Sequence, residues 1–177
     1  MSERELGPIR KKMGMMFQNG ALFDSLNVAQ NIAFPLREEG ITDIDALNQH
    51  VSDVSEIVRL PGQEEKMPSE LSGGMQKRVA LARAIVMKPK CICYDEPHAG
   101  LDPITSESID KLIKCLQQDH GISNIVITHE LRSVFRIADR IVFMKDGKVY
   151  WQGTPGEMKS SPDPTLRDFI NGSDSHG

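Results

Sequence analysis

No stretch of this sequence approaches the run of about 18 apolar residues that a membrane-spanning helix needs. Its charged opening residues are not followed by the apolar core of a secretory signal. The sequence therefore predicts neither a span nor a leader, and any association with a membrane must come through a partner. Cysteine is scarce. Cys91, Cys93 and Cys115 are too few for a disulfide framework and have no further ligands nearby in the chain, so they read as small buried hydrophobes in a reducing compartment. Positive charge is in deficit, with 21 Lys and Arg against 25 Asp and Glu and a net charge of -4. That removes the general electrostatic case for binding nucleic acid. Also absent is any Gly-x-x-x-x-Gly-Lys-Ser/Thr, the loop that wraps the β- and γ-phosphates of a nucleotide. Gly147-Lys148 is followed by Val149 and lacks the upstream glycine. The length, 177 residues, fits one globular domain.

What is present is organised around Leu71-Ser72-Gly73-Gly74-Met75-Gln76-Lys77-Arg78. Two glycines after a serine let the backbone turn with its N–H groups exposed, and helical periodicity follows over 75–87. A helix N-terminus of this kind favours an anion, with Ser72 as a donor and Lys77 and Arg78 adding positive charge one turn on. The same residues also read as a plain turn and a solvated face. After Pro89 and Lys90, residues 91–94 form a short apolar run that ends at Asp95-Glu96-Pro97, a strand stopping at two carboxylates. In α/β sheets ligands sit at that end of a strand. Residues leaving a strand point in different directions, so Asp95 can reach a metal or its water shell while Glu96 faces a reacting water. A solvated Asp-Glu pair in a loop is the alternative. Residues 13–17 read as another strand, with the Gln18 amide placed to hold a metal-bound water. Leu22, Phe23 and Leu26 follow in a loop and need either a partner surface or the domain itself to cover them.

Residues 28–37 and 44–60 carry helical patterns, and Pro61-Gly62 ends the second. Asp102-Pro103 is a helix start, with an apolar stripe running to Gln117. Residues 124–128 form another strand with Thr128-His129 at its end, where an imidazole can donate to a phosphate oxygen. Residues 141–144 and 149–151 flank Asp146-Gly147, the signal of a hairpin. Leu166, Phe169 and Ile170 mark a short docking helix in the tail.

Taken in order, Leu71 to Gln76, Cys93-Tyr94-Asp95-Glu96-Pro97, Ala99-Gly100-Leu101-Asp102 and Ile127-Thr128-His129-Glu130 resemble the ATP-binding subunit of ATP-binding-cassette (ABC) transporters over residues 12–156. The stretch 17–26, with Asn31 and 34–38, resembles the phospholipid-trafficking, organic-solvent-tolerance subfamily. The resemblance implies an α/β fold: a partial P-loop NTPase of the ABC ATPase type, with a mostly parallel sheet, an inserted helical subdomain and a C-terminal β-hairpin. It implies one incomplete ABC ATPase domain over 1–177, with helical subdomain 27–68, the rest of the catalytic core 69–156 and a tail 157–177. It implies ATP and Mg2+ as ligands, with Glu96 and His129 as catalytic residues. Gln18, Ser72, Gly73, Gly74, Gln76 and Asp102 would contact nucleotide, and Gln18 and Asp95 would serve the metal. The implied partners are a transmembrane permease, a second copy of the subunit and, indirectly, a periplasmic lipid-binding protein. The implied location is cytoplasmic, on the inner face of the cell membrane.

Two departures stand out. His98 replaces the threonine or serine more common after Glu-Pro, as a second imidazole near the nucleotide or as a surface variation. The phosphate loop, which in the family precedes the glutamine by some tens of residues, is missing, and only seventeen residues precede Gln18. The expectation is a cassette lacking its N-terminal part, inactive alone, with apolar sheet surface open beside the strand that ends in Asp95 and a marginal, aggregation-prone fold. The alternatives are a non-hydrolysing module that completes a composite ATP site and a soluble ABC protein outside transport.

Overall fold

A computed structural model describes residues 3–174, with side chains over 6–172. The chain divides into two units, Met1–Ile127 and Thr128–Gly177. The first holds α1 (Glu3–Arg10), β1 (Met13–Met16), α2 (Val28–Glu38), α3 (Ile44–Ile57), a 3-10 turn (Pro68–Glu70), α4 (Gly73–Ile85), β2 (Cys91–Asp95), α5 (Pro103–Gln118) and β3 (Ser123–Ile127). The second holds α6 (Leu131–Ile137), β4 (Ile141–Lys145), β5 (Lys148–Gly153), α7 (Pro155–Lys159) and α8 (Pro164–Asp174).

The three strands of the first unit form a parallel sheet in the order β1-β2-β3, so the strand that ends in Asp95 is central. Met16 pairs with Tyr94, and Asp95 with Ile127. Strand side chains alternate between faces. On one face, Met16, Ile92 and Tyr94 are buried. Gly14 lies there too, because a Cβ at that position would come within 2.6 Å of the Ala84 carbonyl oxygen of α4. Tyr94 Oη donates to Asn124 Oδ1 at 3.0 Å, and the Asn124 amide donates to the Ile113 carbonyl of α5 at 3.0 Å. Desolvation pushes the Tyr94 phenol well above its ordinary range.

The opposite face is open. Met13, Met15, Ile125 and Ile127 are exposed, and Cys91 and Cys93 are half-buried there. The apolar surface expected beside the strand ending in Asp95 is therefore present. All three cysteines are free, and none is in the core: Cys91 and Cys93 sit on this open side, and Cys115 on α5 is half-buried beside Asp119.

The helices start where their caps dictate. Asn27 and Gln30 form a reciprocal capping box at α2, and Asp43 caps α3. That helix ends at Ile57, a few residues before the sequence pattern suggests, and Arg59 follows with φ +59°. Leu47, Val51 and Val54 are its buried stripe. In the second unit β4 and β5 pair antiparallel around Asp146 (φ +51°) and Gly147 (φ +72°), the doubly positive backbone of the expected hairpin turn. Leu131, Ile141, Met158 and Leu166 make this unit's core. Leu166 is fully buried, and the Phe169 ring lies 5.0 Å from that of Phe143, so α8 docks as the tail pattern suggests.

Candidate functional site

The parallel register brings two of the expected site segments to one sheet edge. Met16 and Tyr94 are paired, so Gln18 and Glu96, each two residues further on, leave neighbouring strands at the same C-terminal end. Asp95 closes β2, half-buried, and the Glu96 N–H still donates to the Ile127 carbonyl at 2.9 Å. Glu96 then turns into the left-handed region at φ +43°, costly for a residue with a side chain and frequent at functional sites. Two turns follow, closed by Ala99 N–H to the Glu96 carbonyl at 3.1 Å and Leu101 N–H to the His98 carbonyl at 3.0 Å.

The Ser72-Gly73-Gly74 turn is the N-terminus of α4. Ser72 is the cap: its Oγ accepts from the Met75 N–H at 3.4 Å and leaves its O–H to donate elsewhere. Gly73 is exposed, and a Cβ there would make only ordinary contact with Leu101 at 3.7 Å. Gly74 is different, since a Cβ would fall 2.5 Å from Thr105 Cγ2. Glycine at 74 thus lets the head of α4 seat against the first turn of α5. Asp102 caps that turn, accepting from the Ile104 and Thr105 N–H groups at 2.9 and 3.0 Å and from Thr105 Oγ1 at 2.5 Å. These hydrogen bonds, the Thr105 hydroxyl first, hold its carboxyl below the ordinary carboxylate range. Ser72, Gly73, Gly74 and Asp102 therefore belong to one neighbourhood.

The positive charge read beyond this turn goes elsewhere. Lys77 is buried, and its ammonium donates to the Gln18 carbonyl. Burial pulls its pKa down and the negative charge of Glu96 pulls it back up. Arg78 donates to the Val58 carbonyl at 2.6 Å and to Ser108 Oγ at 2.5 Å. The Gln76 amide is also spent internally, donating to the Pro68 carbonyl at 2.9 Å. Buried polar groups satisfy one another before a distant guest can use them.

Gln18 itself is exposed at the head of the loop that carries Leu22, Phe23 and Leu26. Arg83 on α4 donates to the carbonyls of Gly20 at 2.7 Å and Ala21 at 2.8 Å, and its guanidinium lies over the Phe23 ring at 5.7 Å. Phe23 packs on Phe34 at 4.6 Å yet remains 41% exposed, while Leu22 and Leu26 are half-covered. Asn31 organises the loop: fully buried, it accepts from the Phe23 N–H and donates to the carbonyls of Phe23, Leu26 and Asn27. Nothing local in the sequence marks Asn31, Lys77 or Arg83 for these backbone contacts. A polar residue inside a helical apolar stripe was the available signal only for the burial of Asn31.

His98 is buried, not on the surface. Its Nε2 lies 2.8 Å from Oδ1 of the fully buried Asp110 on α5. His129 belongs to the second unit, two residues past the end of β3 in sequence and exposed; Glu130 N–H donates to Thr128 Oγ1 at 3.1 Å, just ahead of α6.

The profile of the ABC transporter family matches residues 1–99, a span that contains Gln18, the Ser72-Gly73-Gly74 turn, Asp95 and Glu96. The chain belongs to the ABC transporter family. It is 42% identical over 172 residues to the intermembrane phospholipid transport system ATP-binding protein MlaF of Escherichia coli, covering 97% of this chain and 64% of that relative. The chain thus spans less than two thirds of this ABC relative's length. Among solved structures it resembles cbiO1 of Clostridium perfringens, part of an ABC transporter complex, with TM-score 0.83 and 30% identity over 96% of this chain and 67% of that one. It also resembles the dimeric ATP-binding cassette MJ0796 bound to ADP and Pi, with TM-score 0.77 and 31% identity over 88% of this chain and 68% of that one. Both are ABC cassettes, and the parallel sheet with its helices and separate hairpin is that fold.

Proposed function

We propose that the chain is the ATP-binding subunit of an ABC transporter that moves phospholipid between membranes. The observation that carries the ATP reading is the convergence of Gln18, Asp95 and Glu96 at one end of adjacent parallel strands. The lipid reading is supported by the likeness to MlaF, named for phospholipid transport, and by residues 17–26. Asp95 and the Gln18 amide oxygen suit magnesium, a hard cation that takes oxygen ligands and keeps part of its water shell. When bound it offsets charge on the phosphates. Glu96 polarises the attacking water, and its left-handed backbone turns it away from the strand direction of Asp95.

In this reading two copies sandwich ATP, as the dimeric cassette neighbour suggests. The Ser72 hydroxyl and the free N–H groups at the head of α4 face the phosphates bound by the other copy. Asp102 lies at that interface, His129 steadies the γ-phosphate, and Gln76 acts by shaping the turn through its hold on Pro68. Residues 27–68 form the helical region that meets a permease, and Leu22, Phe23 and Leu26, in the loop just before it, make an apolar contact with the same partner. The subunit works at the inner face of the membrane, and a periplasmic lipid-binding protein is reached only through the permease. Among the described residues no helix is long and apolar enough to cross a membrane. The 177 residues hold no phosphate loop, so the chain alone should not hydrolyse ATP. The Ser72-Gly73-Gly74 turn also supports a second reading: a module that completes a partner's ATP site without turning it over.

The test is nucleotide titration beside steady-state hydrolysis, for the chain alone and for its assembly with a phosphate-loop-bearing cassette. Glu96→Gln should nearly abolish turnover in the assembly and leave binding intact. Equal loss of both would make Glu96 structural. Magnesium-dependent turnover by the chain alone, above a Glu96→Gln control, would sink the inactivity reading. Phe23→Ala tests the contact: burial of an aromatic anchor is worth about 2 kcal/mol, so co-purification with the permease should weaken about thirtyfold.

A further inference from the structure

Asp110 lies in the apolar stripe of α5, between Ile109 and Leu112, and is fully buried. Burying a carboxylate costs free energy unless donors satisfy it, and an apolar residue would pack there more cheaply. Its partner His98 comes from a different segment, the turn between β2 and α5. An ionised Asp110 requires the His98 Nε2 to carry the proton and donate. The bond spans two full turns of α5 from its cap at Asp102, so it ties the turn to the body of the helix and not merely to its first residues. Glu96 stands two residues before His98, in a left-handed backbone conformation that its neighbours must enforce.

We propose that His98 is a positioning residue for Glu96: through its buried bond to Asp110 it pins the 96–102 turn against α5 and so sets where the Glu96 carboxylate sits. The catalytic part of this rests on the ATP-hydrolysis reading. The hold on the turn does not. The pair divides the work with Asp102, which anchors the far end of the same turn to the same helix.

Amide hydrogen exchange in the full chain decides the first part. The Ala99 and Leu101 N–H groups close the two turns, whereas Ile92 and Ile113 report the strand and the helix. His98→Ala should speed exchange at Ala99 and Leu101 by roughly tenfold or more relative to Ile92 and Ile113. His98→Gln, whose amide can still donate to Asp110, should recover much of that loss. If His98→Ala does not fold, the double variant His98→Phe with Asp110→Leu replaces the pair by apolar groups, an exchange that folds tolerate, and should show the same local acceleration. A uniform loss of protection, or a double variant whose turn is as protected as wild type, overturns the proposal. In the assembled ATPase, His98→Ala should lower kcat about tenfold or more with KM nearly unchanged, and His98→Gln should restore it in part. Unaltered kcat alongside a loosened turn would overturn the positioning of Glu96. If Glu96→Gln itself leaves turnover unchanged, the hydrolysis reading fails instead, and the exchange result still decides whether His98 holds the turn.

Discussion

Met16, Ile92 and Tyr94 are sealed on one side of the parallel sheet, whereas Met15, Cys93 and Ile125, their neighbours along or across the strands, lie open or half-open on the other. The side chains are alike in character on both faces. What differs is the cover. On the closed face α4 comes close enough that only glycine fits at 14, and a polar relay from Tyr94 through Asn124 reaches the backbone of α5. The open face has apolar groups without such a layer. Parallel strands of this composition are built to be buried on both sides, so the contrast shows that strand sequence specifies burial without supplying the element that delivers it.

The largest expected effect breaks the comparison directly. Ile92→Ala should destabilise the chain by about 2–5 kcal/mol in denaturant titration, because it leaves a cavity under fixed neighbours. Ile127→Ala, on the open face, should stay within about 0.5 kcal/mol. Equal losses would mean that something covers the open face in solution. Gly14→Ala comes next, at about 1–3 kcal/mol, since its Cβ meets backbone at Ala84 and cannot be accommodated by a rotamer change. A smaller effect sharpens the contrast from the other side: Met15→Ser with Ile127→Ser should leave the denaturation midpoint almost unchanged and reduce concentration-dependent light scattering. Scattering that persists would place the sticky surface elsewhere.

The smallest effect concerns the cap of α5, which covers the closed face. The Asp102 carboxyl is held below its ordinary range when folded, so its contribution is present above the unfolded value of about 4 and is lost as pH falls through the lowered folded value. Asp102→Asn keeps a capping acceptor. It should cost little at neutral pH and flatten the acid limb of the stability profile, and an unchanged acid limb would show that the cap does not titrate with folding.

The sequence by itself determined the strands, the caps and the order of motifs, because periodicity, glycine pairs and capping residues act over a few positions. Asp102-Pro103 starts α5, Asp146-Gly147 makes the hairpin turn, and Ser72 caps α4, all as local chemistry demands. The meeting of Gln18 with Asp95 and Glu96 was legible only as an expectation from resemblance, since strand order and register are set by contacts distant in the chain. The long-range partners of the polar side chains were not legible. Lys77, Arg78 and Gln76 look like a solvated or phosphate-facing set on a helix, and the fold turns them onto the carbonyls of Gln18, Val58 and Pro68. His98 looks like a surface variation, and the fold buries it against Asp110. The physical reason is the same in each case: a buried donor or acceptor takes the partner that packing brings near, and packing belongs to the tertiary structure.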